Sequence, residues 1–414
     1  MARPVRIALL AHEFLINTGA NDFLKNIIRG LGLNPEVELI FLCPRANEKI
    51  EAAIPPAIKS GLSRIPYLKR LLRFGGHAAA SVSELVIKSD PDEYAFYAEA
   101  CSSMRFVTTE AAPHALAMVK EEHRIDLFMP SIHILPKTLP YITYWPDAQP
   151  KYFPEFFDDE SQRVRDERIR GLLASGKPMI INSQAAKADM EKFYQADVEQ
   201  VFDLPFAPII ELEKLIPRPE LAQRYQLRRP YFLICNQFWI HKSQETVIEA
   251  AEIAKQRGMD VDFVFTGKLQ EPRRPGYIES IHKLVRDLGV SDRVRFLGYV
   301  PKDDQIELMK QCIAVIQPTL FEGGPGGGAV YDAISVGVRS VVSDIPINYE
   351  LPLGDGRVLL FKTKDAGDLF DKLQKISATP YERPSIEDLY QQSRKYTESL
   401  SRRLYEAVDC ALAR

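Results

Sequence analysis

Phe321-Glu322-Gly323-Gly324-Pro325-Gly326-Gly327-Gly328-Ala329-Val330-Tyr331-Asp332 decides how this chain is read. An apolar run at 313–318 precedes it and predicts a buried strand, and Ala329–Val336 predicts a helix that stops at Gly337. Strand, glycine-rich loop and helix in that order can form an anion site. Glycine lets the backbone approach a phosphate closely, and a helix start presents unbonded N–H groups at a positive dipole end. Glu322 stands at the loop entrance and Asp332 one turn into the helix. Carboxylates repel phosphate but accept hydrogen bonds from hydroxyls. The stretch therefore points to a nucleotide, a sugar, or both. A loop that merely turns the chain is the competing reading.

Outward from this loop, apolar runs alternate with longer amphipathic stretches. Strands are predicted at Arg6–Ala11, Val37–Leu42, Ile125–Met129, Tyr141–Tyr144 and Met179–Asn182 in the first half. In the second half they are predicted at Tyr231–Cys235, Val261–Thr266, Val294–Leu297, Ile313–Gln317, Ser340–Ser343 and Val358–Phe361. Helical patterns fall between them, at Ser243–Gln256, Tyr277–Leu288, Asp303–Lys310 and Asp365–Ile376. The alternation predicts an α/β protein with two Rossmann-like domains, each built on a parallel sheet. Pro208, Pro217 and Pro219 mark a break near 207–218, and Pro380 and Pro384 mark another. The expected division is 1–207, 208–384 and a helical tail, 385–414.

The 414 residues suffice for two domains of about 200 residues each. Apolar residues make up 46% and charged residues 26%, as in globular proteins with sizeable cores. A net charge of −3 gives no electrostatic reason to expect nucleic acid as a partner. The five cysteines are scattered without metal-ligand spacing, which predicts free thiols in a reducing compartment. No apolar run reaches the ~18 residues needed to span a bilayer, and the N-terminus does not read as a signal peptide. A cytoplasmic location is expected. Residues 58–77 carry five basic residues and no acid, interleaved with leucines. Such a segment suits either an anionic membrane surface, here the inner face of the cytoplasmic membrane, or packing on its own domain.

Several stretches resemble, in order, the retaining GT-B glycosyltransferases of glycosyltransferase family 4. They are Tyr231–Ser243 with its Lys242, Leu288–Pro301, the glycine loop, Asp332–Gly337 and Ser340–Asp344. Trp145–Phe157 and Ile180–Asp189 are similar to first-domain segments of bacterial members. The resemblance implies two Rossmann-like domains whose parallel sheets face a central cleft, with the donor held by the second domain and the acceptor by the first. The tail helix would cross back to the first domain.

The resemblance also implies roles. Lys242 would place a charge on the donor phosphates, and the amides of Gly326, Gly327, Gly328 and Ala329 would take other phosphate oxygens. Asp332 would accept from the ribose hydroxyls. Glu322 would accept from the donor sugar and favour positive charge at its anomeric carbon, and Tyr299 would lie beside the base. Asp147 is the first-domain catalytic candidate, with a turn-stabilising role as the equal alternative. Gly19 would let the first loop approach a ligand, or simply turn the chain. No metal and no cofactor beyond the nucleotide-diphosphate-sugar donor are implied, and the acceptor is a saccharide or lipid-linked glycan.

The sequence departs from the family pattern twice. The two acids stand ten positions apart instead of eight, the second shortened to aspartate, and Gln237 occupies the place of an arginine five positions before the lysine. A nucleotide-sugar epimerase of the same fold and a non-catalytic sugar- or nucleotide-binding protein remain alternatives. A dinucleotide oxidoreductase is disfavoured because no G-x-G-x-x-G follows Arg6–Ala11. The sugar, the base, the acceptor and the oligomeric state are not legible.

Overall fold

Strands rich in Val, Ile and Leu, flanked by amphipathic helices, are suited to a sheet covered on both faces. The computed structural model describes residues 3–14, 18–44, 97–110, 112–208 and 210–413. The basic segment 58–77 lies outside the described residues. The chain divides into two compact units: Met1–Asn182, Ala186–Leu204 and Thr397–Arg414 form one, and Ser183–Ala185 and Pro205–Tyr396 the other.

The first unit is built on β1 (Val5–Leu10), β2 (Val37–Pro44), β3 (Arg105–Thr109), β4 (Leu127–Ser131), β5 (Tyr141–Tyr144), β6 (Met179–Ile181) and β7 (Val201–Asp203). Their spatial order is β3-β2-β1-β4-β5-β6-β7, with every pairing parallel. Central β4 and β5 are buried throughout, whereas edge strand β3 is mostly exposed. The sequence of β3, Arg-Phe-Val-Thr-Thr, carries little hydrophobic signal, and β7 is only three residues long. For those reasons neither was predicted.

The second unit holds β8 (Tyr231–Cys235), β9 (Asp262–Thr266), β10 (Val294–Gly298), β11 (Val315–Gln317), β12 (Ser340–Ser343) and β13 (Val358–Phe361). They run β10-β9-β8-β11-β12-β13, again all parallel. Phe232, Phe263, Phe265 and Phe361 fill one side of this sheet, beneath helices at Gln244–Gln256 and Ala366–Ala378. A fully buried side chain of this size contributes roughly 1.5–3 kcal/mol. Both units are thus Rossmann-like α/β layers, and all eleven predicted strands are present within a few residues.

The strand order reverses between β8 and β11. In open parallel sheets ligands usually bind outside the carboxyl ends of the strands at such a reversal. The glycine-rich stretch follows β11, and the Lys242 stretch follows β8.

Helix Ile386–Leu412 divides between the units at Tyr396 and Thr397. Leu389 joins the second unit's core. In the first unit Tyr405 Oη donates to Leu31 O at 2.6 Å, and Arg403 Nε donates to Asp203 O at 3.1 Å. Among the described residues no helix is long and apolar enough to cross a membrane.

Candidate functional site

β8 ends at Cys235 and the chain enters a loop that closes on a short 3-10 turn, Ile240–Lys242. Ser243 follows in the left-handed region (φ 50, ψ 48) and starts α1 (Gln244–Gln256). A non-glycine residue there is uncommon and needs support. Ser243 Oγ bonds Thr246 Oγ1 at 2.9 Å, and Lys242 N–H donates to Trp239 O at 2.7 Å. Glu271 braces the turn from the side. Its carboxylate accepts from Ile240 N–H at 2.8 Å and from the Arg273 guanidinium at 2.7 and 2.9 Å. Burial opposes ionisation of Glu271, but these hydrogen bonds outweigh it and hold its pKa below the ordinary value.

The two loops at the strand reversal are joined directly. His241 O accepts from Leu320 N–H at 2.8 Å. The Lys242 ammonium is paired with Glu322 Oε1, and both side chains are about nine-tenths buried. The same oxygen accepts from Gln317 Nε2 at 2.7 Å, and Gln317 Oε1 accepts from Asn236 Nδ2 at 2.7 Å. A chain of polar groups therefore runs from the end of β8, across the end of β11, to the Glu322 carboxylate. Burial pushes the His241 imidazole down to about 2, reinforced by the Lys242 and Arg273 charges, so the ring is neutral at physiological pH.

The glycine loop leads into α2 (Gly327–Ser335), with Gly326 (φ 67) and Gly327 (φ 61) both left-handed. The sequence assigned the amides of Gly326 to Ala329 to phosphate. In the structure Gly326 N–H donates to Asn348 Oδ1 at 2.7 Å, and Gly327 N–H to Gly324 O at 3.1 Å. Those two amides hold the loop in shape. Gly328 and Ala329, in the first turn of α2, lack preceding-turn carbonyl partners by position and are the helix-start donors that remain. Asn348 is fully buried and also donates to Ser343 O at 2.9 Å, fastening the loop to the end of β12.

Asp332 is paired with Lys302, the first residue of the helix Lys302–Gln311. Tyr299, at the end of β10, is 69% exposed. Gln237 points its side-chain carbonyl at Lys268 N–H, 3.1 Å away. Lys242, Glu322, Gln237, Asp332, Tyr299 and the glycines thus all lie at or near the carboxyl end of the second sheet. Asp147 and Gly19 belong to the first unit. Asp147 Oδ1 accepts from Gln149 N–H at 3.0 Å and pairs with Arg165 at 3.3 Å, the geometry of the turn-stabilising alternative. Gly19 is not in a loop but is the second residue of the helix Thr18–Leu31.

Sequence reasoning missed Asn236, Gln317, Asn348 and Lys302. Polar residues inside otherwise apolar strand ends, as at Gln317, were the available signal. Lys302 had none, because a lysine beginning a helix reads as solvated surface.

Residues 218–410 match the family described as glycosyl transferases group 1. The chain is 23% identical over 209 residues to the O-antigen chain mannosyltransferase RfbU of Salmonella typhimurium, across 50% of this chain and 52% of the relative. It thus spans about half the length of such curated relatives. Among solved structures, sucrose-phosphate synthase from Thermosynechococcus elongatus superimposes with a TM-score of 0.61 at 14% identity, over 98% of this chain and 97% of the other. HepE from Anabaena, in a complex with UDP-glucose, gives 0.55 at 14% identity, over 98% and 99%. The fold is that of the GT-B glycosyltransferases, as the strand–helix alternation and the motifs led us to expect.

Proposed function

We propose that the chain is a glycosyltransferase that moves a sugar from a nucleotide-diphosphate donor to an acceptor hydroxyl with retention of anomeric configuration. The supporting observation is the meeting of Lys242 and Glu322 beside the N-terminus of α2, at the strand reversal. Transfer builds negative charge on the departing diphosphate and positive charge at the anomeric carbon. A lysine ammonium has three donors, so Lys242 can keep Glu322 and still reach a phosphate oxygen. The Gly328 and Ala329 amides take further phosphate oxygens along the helix dipole. Glu322 lies beside the cation, where it offers an acceptor to donor-sugar hydroxyls and a negative field to the anomeric centre. Asp332, steadied by Lys302, accepts from ribose hydroxyls. In a retaining course the acceptor enters on the face that the diphosphate leaves, and the diphosphate itself receives the acceptor proton.

The acceptor reading is a saccharide or lipid-linked glycan in surface polysaccharide synthesis. Its support is the group 1 match together with the O-antigen relative. A charged nucleotide sugar does not cross a bilayer unaided, so a donor made in the cytoplasm would be used on that side.

A thermal-shift panel of nucleoside diphosphates and their sugars tests the reading. A ligand at a hundredfold its dissociation constant adds about 2.7 kcal/mol of stability. With the sugar found, proton NMR of the product reads retention, and Glu322→Gln should lose turnover while keeping nucleotide affinity. Release of free sugar with no acceptor dependence would instead mark an epimerase, and a variant as active as the wild type would remove Glu322 from the chemistry.

A further inference from the structure

Three ion pairs lie around the loops that follow β8, β9, β10 and β11. Lys242 is paired with Glu322, Lys302 with Asp332, and Arg273 with Glu271. Three such pairs carry no net charge, yet a diphosphate is a multiply charged anion. Each paired cation offers the ligand only the hydrogen bonds that its carboxylate leaves over.

Lys268 differs. It lies two residues past the end of β9 and is exposed, and its ammonium has no carboxylate at ion-pair distance among the described residues. The backbone delivers it to the site. Gly267 has φ +127, and a Cβ there would stand 2.0 Å from Asn236 O, so only glycine allows the two loops to approach this closely. Lys268 N–H then donates to Gln237 Oε1 at 3.1 Å, and Lys268 O accepts from Phe238 N–H at 3.4 Å. Gln237 and Lys268 each stand two residues beyond Cys235 and Thr266, which are register partners in β8 and β9. The Gln237 side chain is therefore occupied in holding the Lys268 backbone.

We propose that Lys268 is a phosphate-binding residue of the candidate donor site, supplying from the β9 loop a positive charge that position 237 does not provide. The inference rests on the donor reading above and deepens it by naming a further residue for the diphosphate. An ammonium on a flexible four-carbon stem can follow the phosphates as they acquire charge. Arg274 is the natural comparison. It is exposed and also has no carboxylate partner among the described residues, but its backbone is bound within its own loop, to Glu271 and Tyr277.

The test is a calorimetric titration of the full chain with inorganic pyrophosphate, the group common to all nucleoside diphosphates. Lys268→Ala should weaken binding about five- to twentyfold, and Lys268→Arg should restore it to within about threefold. Arg274→Ala should change it by less than about twofold. The Lys268→Ala loss should shrink in about 0.5 M salt, because an exposed cation is screened. If Lys268→Ala binds as the wild type does while Lys242→Met does not bind, the Lys268 assignment is overturned and the donor site stands. If the wild type binds neither pyrophosphate nor any nucleoside diphosphate, both fall.

Discussion

The Glu322 carboxylate occupies the space that a side chain at Gly327 would fill: a Cβ built on Gly327 would stand 2.9 Å from Glu322 Cδ and Oε2. The absence of a side chain at 327 lets the acid lie against the start of α2, where it meets Lys242 and Gln317. Glycine also suits the left-handed backbone there.

Gly327→Ala should therefore damage both fold and site. The left-handed conformation costs an L-residue about 1–2 kcal/mol, and the new methyl displaces Glu322. We expect that loss in urea denaturation, together with at least a tenfold loss of turnover. Gly328→Ala is the contrast. Its Cβ meets nothing within 4 Å and its φ is not positive. Stability should be unchanged or slightly raised, while pyrophosphate binding falls because the added methyl crowds the remaining helix-start amides.

Lys242 and Glu322 form an ion pair with side chains only 11% and 10% exposed. Removing one partner leaves the other charge poorly solvated, at a cost of about 3 kcal/mol. Lys242→Met should destabilise by that order. Adding Glu322→Gln should recover part of the loss, because the neutral side chain still accepts from Gln317. Denaturation of wild type, both single variants and the double variant yields the coupling, expected at about 1–3 kcal/mol. Additive losses would mean that the pair is not held in solution.

Much of this was legible in the sequence for physical reasons. Strands buried on both faces, such as Phe232–Ile234 in β8, announce themselves by continuous apolar runs, and Lys242, Glu322 and Asp332 stand beside strand ends and glycines that locate them. Pairing was not legible. Nothing in linear order says that Lys302 meets Asp332, or that the Gly326 amide is taken by Asn348, 22 residues later. Those contacts follow from how loops after β10, β11 and β12 fold over one sheet edge. The exposed face of β3 left it without the alternating or continuous pattern that would have exposed it.

His241 gives a pH signature. Its folded-state pKa is near 2, against an ordinary value of 6.5, so below pH 6.5 the unfolded chain binds a proton that the folded chain refuses. Its contribution is favourable above pH 6.5 and is lost as pH falls toward the folded value, at up to about 1.4 kcal/mol per unit. Between pH 6.5 and 5 the loss attributable to this ring should be about 1.6 kcal/mol. His241→Gln should flatten that segment of the stability–pH curve, measured by denaturation at each pH. An unchanged slope would show that the ring is solvated and protonates freely.

Asn348 should prove a structural support of the glycine loop. It is 0% exposed, accepts from Gly326 N–H at 2.7 Å and donates to Ser343 O at 2.9 Å. Asn348→Leu keeps the branched shape, though with more bulk, and strands a buried donor and a buried acceptor, each costing about 1–3 kcal/mol. We expect a stability loss of about 2–4 kcal/mol. Hydrogen exchange should accelerate at the Gly326 amide, while peptides from β8 and β9 keep their protection. Equal acceleration across both regions would mean that the variant loosens the whole unit, and that the loop has no separate anchor at this residue.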